Sequence, residues 1–312
     1  MKIVYMGTPD FAVLPLETLL SDGHEIALVV TQPDKPKGRG HKLQAPPVKE
    51  FALMHNIPVY QPESAKTDEA YEYLKSFDAD IFIVAAYGQI LQQRVLDIPK
   101  YGCVNIHASL LPQYRGAAPI QWSIIRGEKV TGVTTMQMNA GLDTGDMLVK
   151  EEVVISSNDT GETLHDKLAI AGVNTIRETL KQIEEGTLSP IPQDDSLSCY
   201  APMISKSTGY IDFSMSATDI YNLIRALNPY PYASTVYSGT RFKVINACVV
   251  AGDFSGRIGE ILDVTKDGIL VKCGVHALLI SDVQFEGKKK MPVSEYIKGN
   301  KIETGIVLGE SQ

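Results

Sequence analysis

The chain has 312 residues, 44% hydrophobic and 21% charged, which suits a globular protein of two ordinary domains with substantial cores. Its longest wholly apolar run, residues 81–87, falls far short of the roughly 20 residues that a membrane-spanning helix needs. A net charge of −8 argues against a polyanionic partner on average, yet residues 206–312 hold 12 Lys+Arg against 11 Asp+Glu, so the acidity belongs to the first part of the chain.

Along that first part, short apolar runs at 2–6, 25–31, 80–86 and 103–107 read as buried strands, with a weaker strand at 58–60. Helical patterns at 12–21, 48–56, 67–77 and 118–126 alternate with them, the rhythm of a Rossmann-like, doubly wound and mostly parallel α/β sheet. A long helix is expected from 159 to 186, opened by an Asp159-x-x-Glu162 capping box and stopped by Gly186. A Pro/Asp/Ser-rich stretch over 188–206 then divides the chain. The expected organisation is a catalytic domain at 1–189, a linker at 190–206 and a second domain at 207–312.

In the second domain glycines punctuate short strands at 209–213, 233–237, 241–250, 259–264, 268–273 and 277–283, with helices only at 217–227 and 293–298. Five or six such strands predict a small closed β-barrel, with an OB-like fold the leading candidate. Cys103, Cys199, Cys248 and Cys273 stand far apart without a C-x-x-C pair, and no signal-length apolar segment follows Met1. A reducing, cytoplasmic setting is expected.

The first strand-to-helix turn, Gly7-Thr8-Pro9-Asp10-Phe11, has one glycine where a dinucleotide site needs G-x-G-x-x-G, so an NAD site is not expected. Residues 32–49 carry Lys35, Lys37, Arg39, Lys42 and Lys49 against Asp34 alone, on a frame of Pro33, Pro36, Gly38, Gly40, Pro46 and Pro47. Such a segment reads either as a solvated surface loop or as a basic loop that orders on phosphates. Lys288-Lys289-Lys290 has the same two readings, and Lys206 and Lys243 are further basic candidates.

The chemistry concentrates after residue 103. Asn105 and His107 lie two apart at the end of an apolar run, so a strand points both to one face. Asp143, between Gly141 and Gly145, can reach the imidazole from a tight loop. An amide donor, a titratable imidazole and a carboxylate suit acyl transfer to an amine; by themselves Asn105 and His107 would equally bond a neighbouring loop. Ser109-Leu110-Leu111-Pro112 alone is an ordinary turn. His24, His41, His55, His165 and His276 have no partners at metal-ligand spacing, and no metal site is expected.

Asn105-x-His107, Ser109-Leu110-Leu111-Pro112 and Gly141-Leu142-Asp143-Thr144-Gly145 resemble the signature of the folate-dependent formyltransferases. Gly7–Phe11, Thr31-Gln32-Pro33-Asp34, Gly38-Arg39-Gly40 and Tyr114-Arg115-Gly116-Ala117-Ala118-Pro119-Ile120 are most similar to the branch that acts on aminoacylated tRNA. The resemblance implies transfer of the formyl group of 10-formyltetrahydrofolate to the α-amino group of methionine on initiator methionyl-tRNA. It implies Asn105, His107 and Asp143 as catalytic residues. Tetrahydrofolate would lie against Ser109, Leu110, Leu111 and Pro112, with the pterin ring near Val84, Ala86, Tyr87 and Gly88. The tRNA would meet Lys35, Lys37, Arg39 and Lys42 in the basic loop and Lys206, Lys243, Lys288, Lys289 and Lys290 in the second domain. A monomer is expected. The trio occurs across the family, so an enzyme acting on a sugar nucleotide or another small amine is the alternative.

Overall fold

The computed structural model describes residues 1–37 and 42–309, without the side chains of Lys37 and Lys42. The chain divides into two compact units, the first made of Met1–Pro119, Val130–Val154 and His165–Ala201, the second of Ile120–Lys129, Ile155–Leu164 and Pro202–Gln312. Residues 190–201 thus group with the first unit, and two earlier segments group with the second.

The first unit is built on seven strands, β1 (Lys2–Gly7), β2 (Glu25–Val30), β3 (Val59–Tyr60), β4 (Ile81–Ala85), β5 (Cys103–His107), β6 (Val130–Gln137) and β7 (Met147–Val154). They form one sheet in the order β7-β6-β5-β4-β1-β2-β3. The five strands β1 to β5 are mutually parallel, whereas β6 and β7 are antiparallel to their neighbours. The sheet is therefore mixed α/β, with the parallel core expected from the apolar runs. The antiparallel pair at its edge had no counterpart among the expected elements, because β7 alternates buried and exposed residues and carries Lys150, Glu151 and Glu152. An edge strand covered on one face tolerates such charge.

The helices are α1 (Val13–Ser21), α2 (Pro47–Met54), α3 (Asp68–Lys75), α4 (Gln93–Leu96), α5 (Pro119–Ile125) and α6 (Gly161–Glu185); all but the short α4, which had no counterpart among the expected helices, follow the periodic segments closely. The Thr67 side chain caps α3 by accepting from Ala70 N. The capping box expected at α6 is built from different residues. Thr160 and Thr163 exchange the reciprocal backbone-to-hydroxyl bonds, while Asp159 accepts from Ser156 N and from the Thr163 hydroxyl. Further along α6, a Cβ at Gly172 would stand 3.2 Å from the Ile106 methyl, so glycine permits the helix to approach β5 closely.

The second unit holds β8 (Ala233–Tyr237), β9 (Thr240–Val250), β10 (Ile261–Thr265), β11 (Gly268–Lys272), β12 (Ala277–Phe285) and β13 (Met291–Pro292), with α7 (Ala217–Ala226) and α8 (Val293–Tyr296). The ladders run β8-β9-β12-β11-β10, with β13 on β12. This sheet is open: among the described residues no ladder returns from β10 to β8, and the closed barrel expected from the strand texture is not found. The strand expected at 209–213 is reduced to an isolated bridge between Tyr210 and Ser234, since turns occupy the flanking residues. Ile220, Leu223 and Ile224 of α7 share a core with Phe242, Val244, Ile280 and Val283 of the sheet.

The four cysteines are free thiols, and burial raises the Cys103 thiol well above its ordinary range. No described helix is long and apolar enough to cross a membrane. A buried polar pair ties α6 to the sheet: the Thr135 hydroxyl meets that of Thr179 at 2.7 Å and accepts Val149 N at 3.1 Å. Thr135→Val leaves that N–H without an acceptor in a dry site, and we expect a loss of about 1–3 kcal/mol of stability, read from the urea midpoint of the full-length chain.

Candidate active site

Strand β5 ends where β4 and β6 flank it. Its register pairs Asn105 with Val84 on one side and Met136 on the other, and His107 with Thr134. Two-residue periodicity sets Asn105 and His107 on a common face at the carboxyl end of the parallel strands, where open α/β sheets bind their ligands. His107 is buried, whereas Asn105 keeps some exposure. The Asn105 carboxamide has no hydrogen-bond partner among the described residues, so its two N–H donors are available to a ligand.

The imidazole is fixed from both sides. Nε2 of His107 lies 3.0 Å from Tyr114 O. A carbonyl only accepts, so the ring proton belongs on Nε2 and proton exchange is left to Nδ1. Nδ1 faces Asp143 Oδ2 at 3.7 Å. That separation exceeds a hydrogen bond, and the His107 and Asp143 side chains are 6% and 13% exposed. The same Oδ2 accepts Gly116 N at 2.8 Å, which holds the carboxylate against the loop that also carries Tyr114.

Both loop residues adopt left-handed backbone, with φ of 57° at Tyr114 and 52° at Asp143. Such conformations are costly outside glycine and persist where the surroundings fix them. Here the partners come from the segment expected to be only a linker. Cys199 Sγ accepts Tyr114 N, and Cys199 O accepts Arg115 N. Ala201 O accepts the N–H groups of Ala117 and Ala118. The Gln193 side chain reaches Asp143 O, Gly145 O and Arg115. Sequence reasoning passed over these residues, because a polar, proline-containing stretch carries no periodic signal and its partners lie some 50 to 80 positions away.

The Ser109–Pro112 turn is folded by its own polar groups. Ser109 Oγ donates to Gln113 O, Thr134 Oγ1 donates to Ser109 O and accepts Leu111 N, and Lys150 Nζ donates to Leu111 O. Ser109 is fully buried, so its hydroxyl serves the turn, while Leu111 joins Met136 and Met147 in a small apolar cluster. The Leu110 side chain lies over the backbone at Gly132. Val84 and Tyr87 are buried and Ala86 and Gly88 are exposed, both of these at positive φ. Tyr87 O accepts from Thr8 and Gln32, whereas the buried Tyr87 hydroxyl has no partner among the described residues, and burial raises it far above the usual phenol range.

The basic candidates divide. Lys35 is exposed on the hairpin formed by Lys35–Lys37 and Lys42–Gln44, while Arg39 lies outside the described residues, as do the Lys37 and Lys42 side chains. Lys49 is no free cation: it binds both Asp34 oxygens at 2.9 Å and Gln61 Oε1 at 2.6 Å. In the second unit Lys206, Lys288 and Lys289 are exposed. Lys243 and Lys290 lie 5.4 Å and 4.3 Å from the Tyr232 ring, and Lys290 also bonds the Tyr232 hydroxyl. No group of three or more described His, Cys, Asp or Glu side chains is placed to hold a metal ion.

An amide donor, an imidazole and a partly buried carboxylate at the carboxyl end of a mixed α/β sheet suit an acyl-transfer enzyme. The chain belongs to the formyl transferase family: the description "Formyl transferase" matches residues 1–180 and "Formyl transferase, C-terminal domain" matches 203–301. The methionyl-tRNA formyltransferase of Acetivibrio thermocellus is 53% identical over 311 residues, covering 99% of this chain and 100% of that one. That of Clostridioides difficile is 53% identical over 309 residues, with the same coverage. Among solved structures, the sugar 3N-formyl transferase WlaRD with dTDP and 5-N-formyl-THF shares the fold at a TM-score of 0.68 and 21% identity, over 93% of this chain and 99% of that one. HypX from Aquifex aeolicus in complex with tetrahydrofolic acid does so at 0.66 and 18%, over 98% of this chain and 50% of that one.

Close packing at the Asp143 loop supplies a test. A Cβ at Gly145 would stand 1.7 Å from Gln137 O, so Gly145→Ala must displace the backbone beside Asp143. We expect at least about a tenfold fall in the single-turnover rate of formyl transfer, since small misplacements of reacting groups weigh heavily on rate.

Proposed function

We propose that the protein transfers the formyl group of 10-formyltetrahydrofolate to the α-amino group of methionine esterified to initiator tRNA. The observation that carries this reading is that the likeness to methionyl-tRNA formyltransferases runs through both halves of the chain, around an intact Asn105, His107 and Asp143. The site suits a formyl donor. Val84, Leu111, Met136 and Met147 supply apolar surface, and Asn105 keeps free amide donors.

In this reading the amine attacks the formyl carbon and the carbonyl oxygen becomes an anion. Asn105 donates to that oxygen, and the loss of one such donor costs roughly 2.7–4 kcal/mol of barrier. The amine sheds a proton as it bonds, and the folate nitrogen requires one as it leaves. His107 Nδ1 and the Asp143 carboxylate are the groups that handle this proton, while Tyr114 O keeps the ring from turning.

We assign catalysis and folate binding to residues 1–189, with Ser109, Leu110, Leu111, Pro112, Val84, Ala86, Tyr87 and Gly88 against the folate. Residues 207–312 are assigned to the tRNA, as an OB-like sheet bearing Lys243, Lys288, Lys289 and Lys290, with Lys206 just before it. Lys35, Lys37, Arg39 and Lys42 meet the acceptor end. Exposed cations at Lys35, Lys206, Lys288 and Lys289 support this division.

The test is formyl transfer to charged initiator methionyl-tRNA beside charged elongator methionyl-tRNA and a dTDP-amino sugar. We expect transfer to the initiator alone, a 10²- to 10³-fold lower kcat in Asn105→Ala and a comparable or larger loss in His107→Ala, on the scale of oxyanion-donor removal. Transfer to the amino sugar in place of tRNA would overturn the reading.

A further inference from the structure

We propose that Gln193 is a positioning residue for the reaction, the residue that holds the Asp143 loop in its working conformation. The inference rests on the functional reading above and deepens it. Every hydrogen-bonding capacity of this one carboxamide is spent around the loop. Nε2 donates to Asp143 O at 2.8 Å and to Gly145 O at 2.7 Å, while Oε1 accepts Arg115 Nε at 3.0 Å and Arg115 Nη2 at 2.8 Å. Carbonyls only accept and a guanidinium only donates, so the orientation of the amide follows from its partners.

The placement of these bonds bears on the chemistry. Asp143 sits at φ 52°, a conformation that asks for external support, and Nε2 grips the chain at Asp143 and again two residues later. Arg115 adjoins Gly116, whose N–H binds the Asp143 carboxylate, and follows Tyr114, whose carbonyl binds His107 Nε2. Arg115 is itself held by Asp195 at 2.7 Å. Gln193 therefore links the backbone that carries the carboxylate to the backbone that orients the imidazole. It does so without touching either reacting group.

The substitution that isolates this role is Gln193→Glu. A glutamate keeps the bonds from Arg115 and turns an oxygen against two carbonyls, so the loop loses both donors at constant side-chain size. Gln193→Met, of similar length and uncharged, is measured beside it so that misfolding of one variant does not decide the outcome.

We expect both variants to lower kcat for formyl transfer at least about 30-fold, with KM for folate and tRNA within about threefold of the parent. Placed in an Asp143→Asn background, Gln193→Glu, which keeps the Arg115 bonds, is expected to change kcat less than about twofold, because the loop it holds no longer carries the carboxylate. Amide hydrogen exchange over residues 139–146, read by mass spectrometry on the unliganded chain, is expected to quicken at least about tenfold. That reading does not depend on the acceptor, so it tests the positioning role even if the parent protein fails to formylate tRNA, an outcome that strikes only the functional reading. Unchanged loop exchange in both variants overturns the inference. So does a full, multiplicative loss of kcat in the Asp143→Asn background.

Discussion

The site depends on the register of one strand. β5 is the last parallel member of its sheet and the first to have an antiparallel neighbour, so its carboxyl end pairs with β4 up to Asn105 and with β6 up to His107. A ladder on each edge leaves the backbone no freedom to slide, and a shift of one residue would move Asn105 and His107 together to the opposite face. Asn105 and His107 are thus placed by a strand with a ladder on each edge. What remains is to bring a carboxylate and a carbonyl acceptor to a ring whose position is already set.

Loops do that work, and they need help to do it. Tyr114 and Asp143 both sit in left-handed backbone, and the ring they address is buried. The help comes from residues 193–201, which supply side-chain and main-chain acceptors to the 114–118 loop and donors to the 143–145 loop. Because exposed ion pairs are weak and an unmade buried hydrogen bond is costly, these neutral bonds hold the loops more firmly than surface charges would. The stretch that composition marks as a tether is part of the scaffold of the first unit.

Charge shows the same dependence on partners. Counting basic residues over 32–49 overstates the free positive charge, since Lys49 is engaged by Asp34 and Gln61, and that pairing lowers the Asp34 carboxyl below its usual range. Lys290, though exposed, bonds the neutral Tyr232 hydroxyl and keeps its charge. Lys35, Lys206, Lys288 and Lys289 keep their exposure. A sequence reports how many cations a segment holds. Only neighbours distant in sequence decide which of them a phosphate meets.

The parallel strands, most of the helices, and the pairing of Asn105 with His107 were legible in the sequence, because two-residue and 3.6-residue periodicities are local and survive without tertiary information. Glycine-flanked Asp143 was legible for a related reason: a tight loop needs those residues wherever it goes. The antiparallel strands β6 and β7, the open course of the second sheet, the Thr160–Thr163 cap and the Gln193 clamp were decided by tertiary structure alone. Each rests on hydrogen bonds whose partner is chosen by geometry rather than by residue type. Thr163 and Glu162 are both ordinary capping residues, and Gln193 is one glutamine among polar neighbours until Asp143, Gly145 and Arg115 converge on it. The sequence determined which groups the protein has for its chemistry, and the packing of distant segments determined which of them are held in place to use it.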